Sequence, residues 1–142
     1  MAEASKKVAL GQVEEVILLP WKVRLTARVD TGAATSSLDA REVRDLGNNE
    51  VEILLSPQHG GLTLRLPVFR WRKYKTAQGT GRRPVVLMEV CLGSKRIQAE
   101  VNIADRSDLE FPFLVGRNLL RNHFVVDVDR WRSAPPSCPG VP

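Results

Sequence analysis

Asp30 is the residue in this sequence best placed to do chemistry. It follows the run VRLTARV, in which Val23, Leu25, Ala27 and Val29 alternate with Arg24, Thr26 and Arg28. After it come Thr31-Gly32-Ala33-Ala34-Thr35-Ser36-Ser37, all small and uncharged. The pattern predicts a half-buried strand ending on a carboxylate, in surroundings too small to fill space. Asp-Thr-Gly suits a sharp bend, so a turn is one explanation. The other is that a partner approaches the backbone here and the Asp30 carboxylate acts on it.

Other chemistries lack their residues. His59 and His123 have no ligand or catalytic partner at useful spacing, and no HExxH or paired CxxC is present, so no metal site is expected. Gly79-Thr80-Gly81-Arg82-Arg83 has the glycines of a phosphate loop, but neither its Gly-Lys-Ser/Thr end nor a helix after it. It reads as a hairpin tip. Ser36 or Ser37 could stand as a nucleophile only on paper, because nothing local completes a triad.

The elements that must position Asp30 are mostly strands. Val13 to Leu19 precedes Pro20; Val51 to Leu55, Leu62 to Leu66 and Phe124 to Val126 are further short runs. Pro84 to Leu92 and Arg96 to Ile103 flank Gly93-Ser94, a hairpin signal. Arg117 to Asn122 reads as a short helix, and Arg41 to Leu46 as a weak helix, a turn or irregular strand. Many short strands with one short helix predict an all-β, barrel-like domain. Its expected span is 8–132, after a flexible 1–7 and before a Pro-rich, disordered 133–142 carrying Pro135, Pro136, Pro139 and Pro142.

At 142 residues, 43% hydrophobic and 26% charged, the chain suits one globular domain. No apolar run approaches the roughly 18 residues that span a bilayer, and the N-terminus has no secretory core. Cys91 and Cys138 do not make a disulfide framework; Cys91 is expected as a small buried hydrophobe, and a cytoplasmic protein fits best. The net charge of +5 is unevenly placed. Between Glu52 and Glu89 there is no acid, whereas Arg65, Arg70, Arg72, Lys73, Lys75, Arg82 and Arg83 all fall there. Such a stripe either protects a hairpin from edge pairing or draws an acidic ligand.

Asp30-Thr31-Gly32-Ala33 after a hydrophobic strand, together with Leu114-Val115-Gly116-Arg117-Asn118-Leu119-Leu120, resembles the two signatures of the retropepsins, single-domain aspartic proteases. More closely, VRLTARVDTGAATSSLDA and IADRSDLEFPFLVGRNLLRNHFVVD resemble a bacterial retropepsin-like family labelled ATP-dependent zinc proteases, over about residues 8–131. The label does not fit the residues, which include neither a zinc-ligand cluster nor a nucleotide loop, so no cofactor is expected. The resemblance implies a closed barrel with one short helix and a flap hairpin from about Phe69 to Val85. It implies Asp30 as the catalytic residue, with Thr31, Gly32 and Ala33 as its supporting loop and Gly116, Arg117 and Asn118 as the scaffold beneath. Gln78, Gly79, Thr80, Gly81, Arg82 and Arg83 would form the flap over a peptide or protein substrate, its basic residues favouring acidic segments.

Aspartic proteolysis needs two carboxylates sharing one proton and one water. One Asp-Thr-Gly in a chain this short therefore implies a homodimer with Asp30 from each copy. The usual acid that pairs with the Gly-Arg arginine is replaced by Ala34 and Thr35, which leaves Glu14, Glu15 or Asp39 as candidate partners of Arg117. The Pro-rich end is unsuited to a dimer sheet of C-terminal strands. Two other readings compete: a non-proteolytic module of the same fold binding acidic peptides, and a nucleic-acid-binding barrel using Trp71 and Tyr74 for stacking. The second is disfavoured, because aromatics are few and the stripe coincides with the flap.

Overall fold

The computed structural model describes residues 6–104 and 110–141. Its strands are β1 (Val8–Leu10), β2 (Val13–Leu19), β3 (Val23–Val29), β4 (Ser36–Asp39), β5 (Glu42–Gly47), β6 (Glu50–Leu54) and β7 (Thr63–Pro67). They continue with β8 (Arg70–Thr76), β9 (Gly79–Leu92), β10 (Lys95–Ala104), β11 (Phe113–Val115) and β12 (Phe124–Val126). A single turn of helix, α1 (Arg117–Leu120), separates the last two strands. The all-β class is as expected.

The main sheet runs β10-β4-β11-β3-β2-β9-β8, and an additional β10–β9 pairing closes it into a ring with β8 outside. β3 lies in this ring between β2 and β11, antiparallel to the first and parallel to the second. Its alternation is realised: Val23, Leu25, Ala27 and Val29 are buried, and Arg24 and Arg28 are exposed. The buried set joins Phe113, Val115, Val86, Met88, Val101 and Leu119 in one core. Each fully buried Leu, Val or Phe contributes roughly 1.5–3 kcal/mol, so the end of β3 is held firmly.

Glu42–Gly47 takes the irregular-strand alternative; among the described residues it pairs only with β6, and the two-residue turn Asn48-Asn49 takes positive φ at both positions (54° and 58°). Two other short sequences differ from expectation. Ser36–Asp39 forms β4 rather than a loop, because β10 and β11 pair with it from either side. Ser133 to Val141 is pinned instead of disordered. Ser133 and Ala134 donate to the buried Glu14 carboxylate, and Ser137 N–H donates to the Gly93 carbonyl.

The cysteine expectation is also corrected. Cys91 is buried as anticipated, but it is disulfide-bonded to Cys138, 47 positions later. The pair, with Ile17, Leu19 and Val141, forms a second apolar cluster. The pairing removes the cysteine argument for a cytoplasmic address, since structural disulfides persist chiefly in oxidising compartments. No described helix is long and apolar enough to cross a membrane.

Candidate active site

Asp30 sits at the point where β3 leaves the ring. Its N–H donates to the Val115 carbonyl (2.9 Å), continuing the β3–β11 pairing, while Val29 N–H donates to the Gln12 carbonyl (2.8 Å). The chain then turns: Ala33 N–H donates to the Asp30 carbonyl (3.2 Å), and Gly32 N–H donates to Asp30 Oδ1 (2.9 Å). One carboxylate oxygen is therefore fixed by its own loop, and the side chain remains half-buried rather than sealed. A Cβ at Gly32 would come 3.2 Å from that oxygen, which accounts for glycine here.

The Gly-Arg-Asn turn supports this loop directly. Arg117 N–H donates to the Ala33 carbonyl (2.8 Å) and Asn118 N–H to the Ala34 carbonyl (3.2 Å). The Arg117 guanidinium donates through Nη1 to the Thr31 carbonyl (3.0 Å). Two of its expected acidic partners serve elsewhere: Glu14 accepts from Gly11, Ser133 and Ala134, and Glu15 pairs with Arg24 and Arg132. Arg117 instead makes a charge-assisted bond to a backbone carbonyl.

Beneath the turn lies a polar network that sequence reasoning missed. Gly116 N–H donates to Ser36 Oγ (2.9 Å), whose hydroxyl donates to Asn118 Oδ1 (2.8 Å). Asn118 Nδ2 donates to the Glu100 carbonyl (2.8 Å), and Asn102 Nδ2 to Thr35 Oγ1 (3.0 Å). Ser36 is fully buried, so it acts as a cross-brace and not as a nucleophile. Only its place in the small-residue run could have drawn notice to it.

Two clefts flank the loop. One, of about 670 Å³, is bordered by Asp30, Thr31, Gln12, Glu110, Phe111 and Val128. Glu110 is thus a second carboxylate on the same cleft as Asp30 that the sequence reading passed over. The other, of about 380 Å³, lies between the β8–β9 hairpin and the loop and is bordered by Ala33, Thr35, Arg72, Tyr74, Arg83 and Asn102, among others.

The hairpin is where the flap was expected, with Thr76 opposite Gly79 across the turn. Gly81 lies under Tyr74, where a Cβ would meet the ring at 2.7 Å. Arg82 lies over Trp71 (4.2 Å) and bonds Asp45 (3.2 Å), while Arg83 lies over Tyr74 (4.3 Å). Its arms, not its tip, border the Asp30 loop: Gln78, Gly79 and Thr80 line neither of the two flanking clefts. The segment 105–109 of the second motif run lies outside the described residues.

Residues 9–137 match the family model described as RimB-like, "Retropepsin-like aspartic endopeptidase RimB". The chain belongs to the RimB-like family. This RimB-like chain is also similar to a solved structure, protein Lpg0085 from Legionella pneumophila subsp. pneumophila str. Philadelphia 1, described as of unknown function (DUF785). The two share 25% identity, with 91% of this chain and 99% of that one covered, at a TM-score of 0.76. No curated protein matches the chain. The RimB-like description names an aspartic endopeptidase and carries no zinc or ATP label. Among the described residues, no group of three or more His, Cys, Asp or Glu could hold a metal ion.

Proposed function

We propose that this RimB-like chain is a homodimeric aspartic endopeptidase in which Asp30 of each copy contributes one carboxylate to the site. One carboxylate takes a proton from a bound water as general base, and the protonated partner polarises the scissile carbonyl. Thr31 holds the two loops together across the twofold axis, and the hairpin closes over a peptide with acidic segments. The observation that carries the reading is the bracing of the Asp30 loop by Gly116, Arg117 and Asn118, which fixes the carboxylate at the edge of an open cleft. Association is supported by exposed apolar side chains: Val128, 66% exposed, borders the cleft itself, and Val125 and Trp131, three residues to either side in the chain, are 50% and 59% exposed.

The test is hydrolysis of an unbiased peptide library by wild type, Asp30→Asn and Glu110→Gln. Asp30→Asn keeps nearly the same shape and should fold and associate normally, yet cleave about a thousandfold more slowly. Wild-type specific activity should fall on dilution below the dimer dissociation constant, since each copy holds half the site. Glu110→Gln should stay active. Its inactivity, combined with activity that does not change on dilution, would show that Asp30 works with Glu110 inside one chain. The second reading, a non-proteolytic module for acidic peptides, is favoured by the hairpin cations that lack carboxylate partners among the described residues. It requires equal peptide binding by wild type and Asp30→Asn with no cleavage by either.

A further inference from the structure

The β8–β9 hairpin carries more positive charge than the described residues around it neutralise. Of the basic residues in the acid-free stretch, Arg65 pairs with Glu50 (2.7 Å), Arg70 with Glu100 (2.9 Å) and Arg82 with Asp45 (3.2 Å). Arg72, Lys73, Lys75 and Arg83 have no carboxylate partner among the described residues. Two of these, Arg72 and Arg83, stand directly opposite each other in the antiparallel register. Residues so placed share one face of the sheet with Cβ atoms about 4.5–5.5 Å apart, and like charges there repel. The Tyr74 ring under Arg83 orients that guanidinium without neutralising it.

The position of this face matters. Arg72, Tyr74 and Arg83 border the cleft of about 380 Å³ whose other side is Ala33, Thr35 and Asn102, the loop that continues from Asp30. Lys73 also reaches it, and among the described residues no Asp or Glu lines it. Arg82 is opposite Lys73 in the next register pair, on the other face, and is bound to Asp45.

We propose that Arg72 and Arg83 are the specificity-determining pair of the site, and that they hold a carboxylate of the substrate beside the Asp30 loop. The inference rests on the endopeptidase reading above. Guanidinium forks match a carboxylate with parallel N–H donors, which an ammonium cannot do. A carboxylate arriving between two arginines that have no carboxylate partner among the described residues also relieves their mutual repulsion, so the anion gains from both. The carboxylate can come from an Asp or Glu side chain near the scissile bond or from a free C-terminus, and the same pair would serve either.

Three peptides on one neutral scaffold separate these sources: an internal Glu with an amidated end, the matching Gln peptide, and that Gln peptide with a free C-terminus. Wild type should cleave one of the carboxylate peptides about tenfold better in kcat/KM than the amidated Gln peptide. Preference for internal Glu assigns the side chain, and preference for the free end assigns the terminus. The Arg72→Gln/Arg83→Gln variant should bring all three to within about twofold while still cleaving the neutral peptide. Arg72→Lys keeps the charge but loses the fork and should forfeit most of the preference. Arg65→Gln, which removes one charge far from the cleft, should keep it in full.

Equal wild-type rates on all three peptides, or a preference that survives the double substitution, would overturn the assignment. So would an equal loss in Arg65→Gln, which would make the effect one of net charge. Calorimetric binding of the same peptides to Asp30→Asn, with and without the arginine substitutions, separates the two readings. Carboxylate-selective binding that needs the arginines upholds the pair even if no chain hydrolyses peptide; unselective binding overturns it even if hydrolysis is present.

Discussion

Gly116 lies where two backbones meet. Its φ of −96° and ψ of −178° are extended values that any residue adopts, so glycine is not required by conformation. Space requires it. A Cβ here would overlap the Thr35 carbonyl group and come 3.1 Å from the Ala33 carbonyl oxygen, and both neighbours are backbone that cannot swing aside. Those carbonyls belong to the loop that carries Asp30, and the adjoining Arg117 N–H bonds Ala33 at 2.8 Å. Gly116→Ala must therefore push the turn and the loop apart. The expected cost is roughly 3 kcal/mol of stability in urea denaturation, as for other overpacked sites. Peptidase activity should fall much further than the residual folded fraction explains, because the Asp30 carboxylate is displaced with its loop. Unchanged activity and an unchanged midpoint would show that the bracing is unimportant.

At the scale of elements, legibility followed the range of the interactions. β3, β9, β10 and β12 carry their signal locally, in alternation or in a turn such as Gly93-Ser94; the structure places β3, β10 and β12 within one residue of the predicted bounds and starts β9 five residues earlier, at Gly79. β4 has no such signal. Ser36 and Leu38 are buried only because β10 and β11 pair with them from distant parts of the chain. β5 is mostly exposed, with only Leu46 half-buried, so no alternation marks it. β2 held a clue that was not used. Val16-Ile17-Leu18-Leu19 is continuously apolar, the mark of a strand covered on both faces, and the residues covering its second face include Cys138 and Val141. The site divides in the same way. Asp-Thr-Gly-Ala and Gly-Arg-Asn could each be recognised, but their contact joins residues 86 positions apart, and Arg117 chooses a backbone carbonyl, which has no sequence signature.

For the whole molecule, the C-terminal segment is the strap that ties these parts together. After β12 it returns past the β1–β2 corner: Asp127 N–H donates to Leu10, Gln12 N–H donates to the Arg130 carbonyl, and Arg132 N–H donates to Val13. Gln12 in turn accepts from Val29, the residue before Asp30. Further along, Ser133 and Ala134 donate to Glu14, which is fully buried, and Cys138 closes the disulfide to Cys91. Loss of the disulfide alone, in Cys138→Ser, should cost roughly 2–4 kcal/mol through the freedom returned to the unfolded chain. Ending the chain after Arg132 should cost clearly more, because Glu14 then keeps only the Gly11 N–H among these donors. A buried carboxylate stripped of its partners costs several kcal/mol beyond the lost contacts. Glu14→Gln in the truncated chain should therefore recover part of the deficit, whereas the same substitution in the full-length protein should destabilise. Urea denaturation of the truncated chain and the two Glu14→Gln proteins under oxidising conditions, with wild type and Cys138→Ser as references, gives the comparison. If truncation and Cys138→Ser prove equally stable, the strap is held by its disulfide alone, and Glu14 does not join the tail to the corner that supports Asp30.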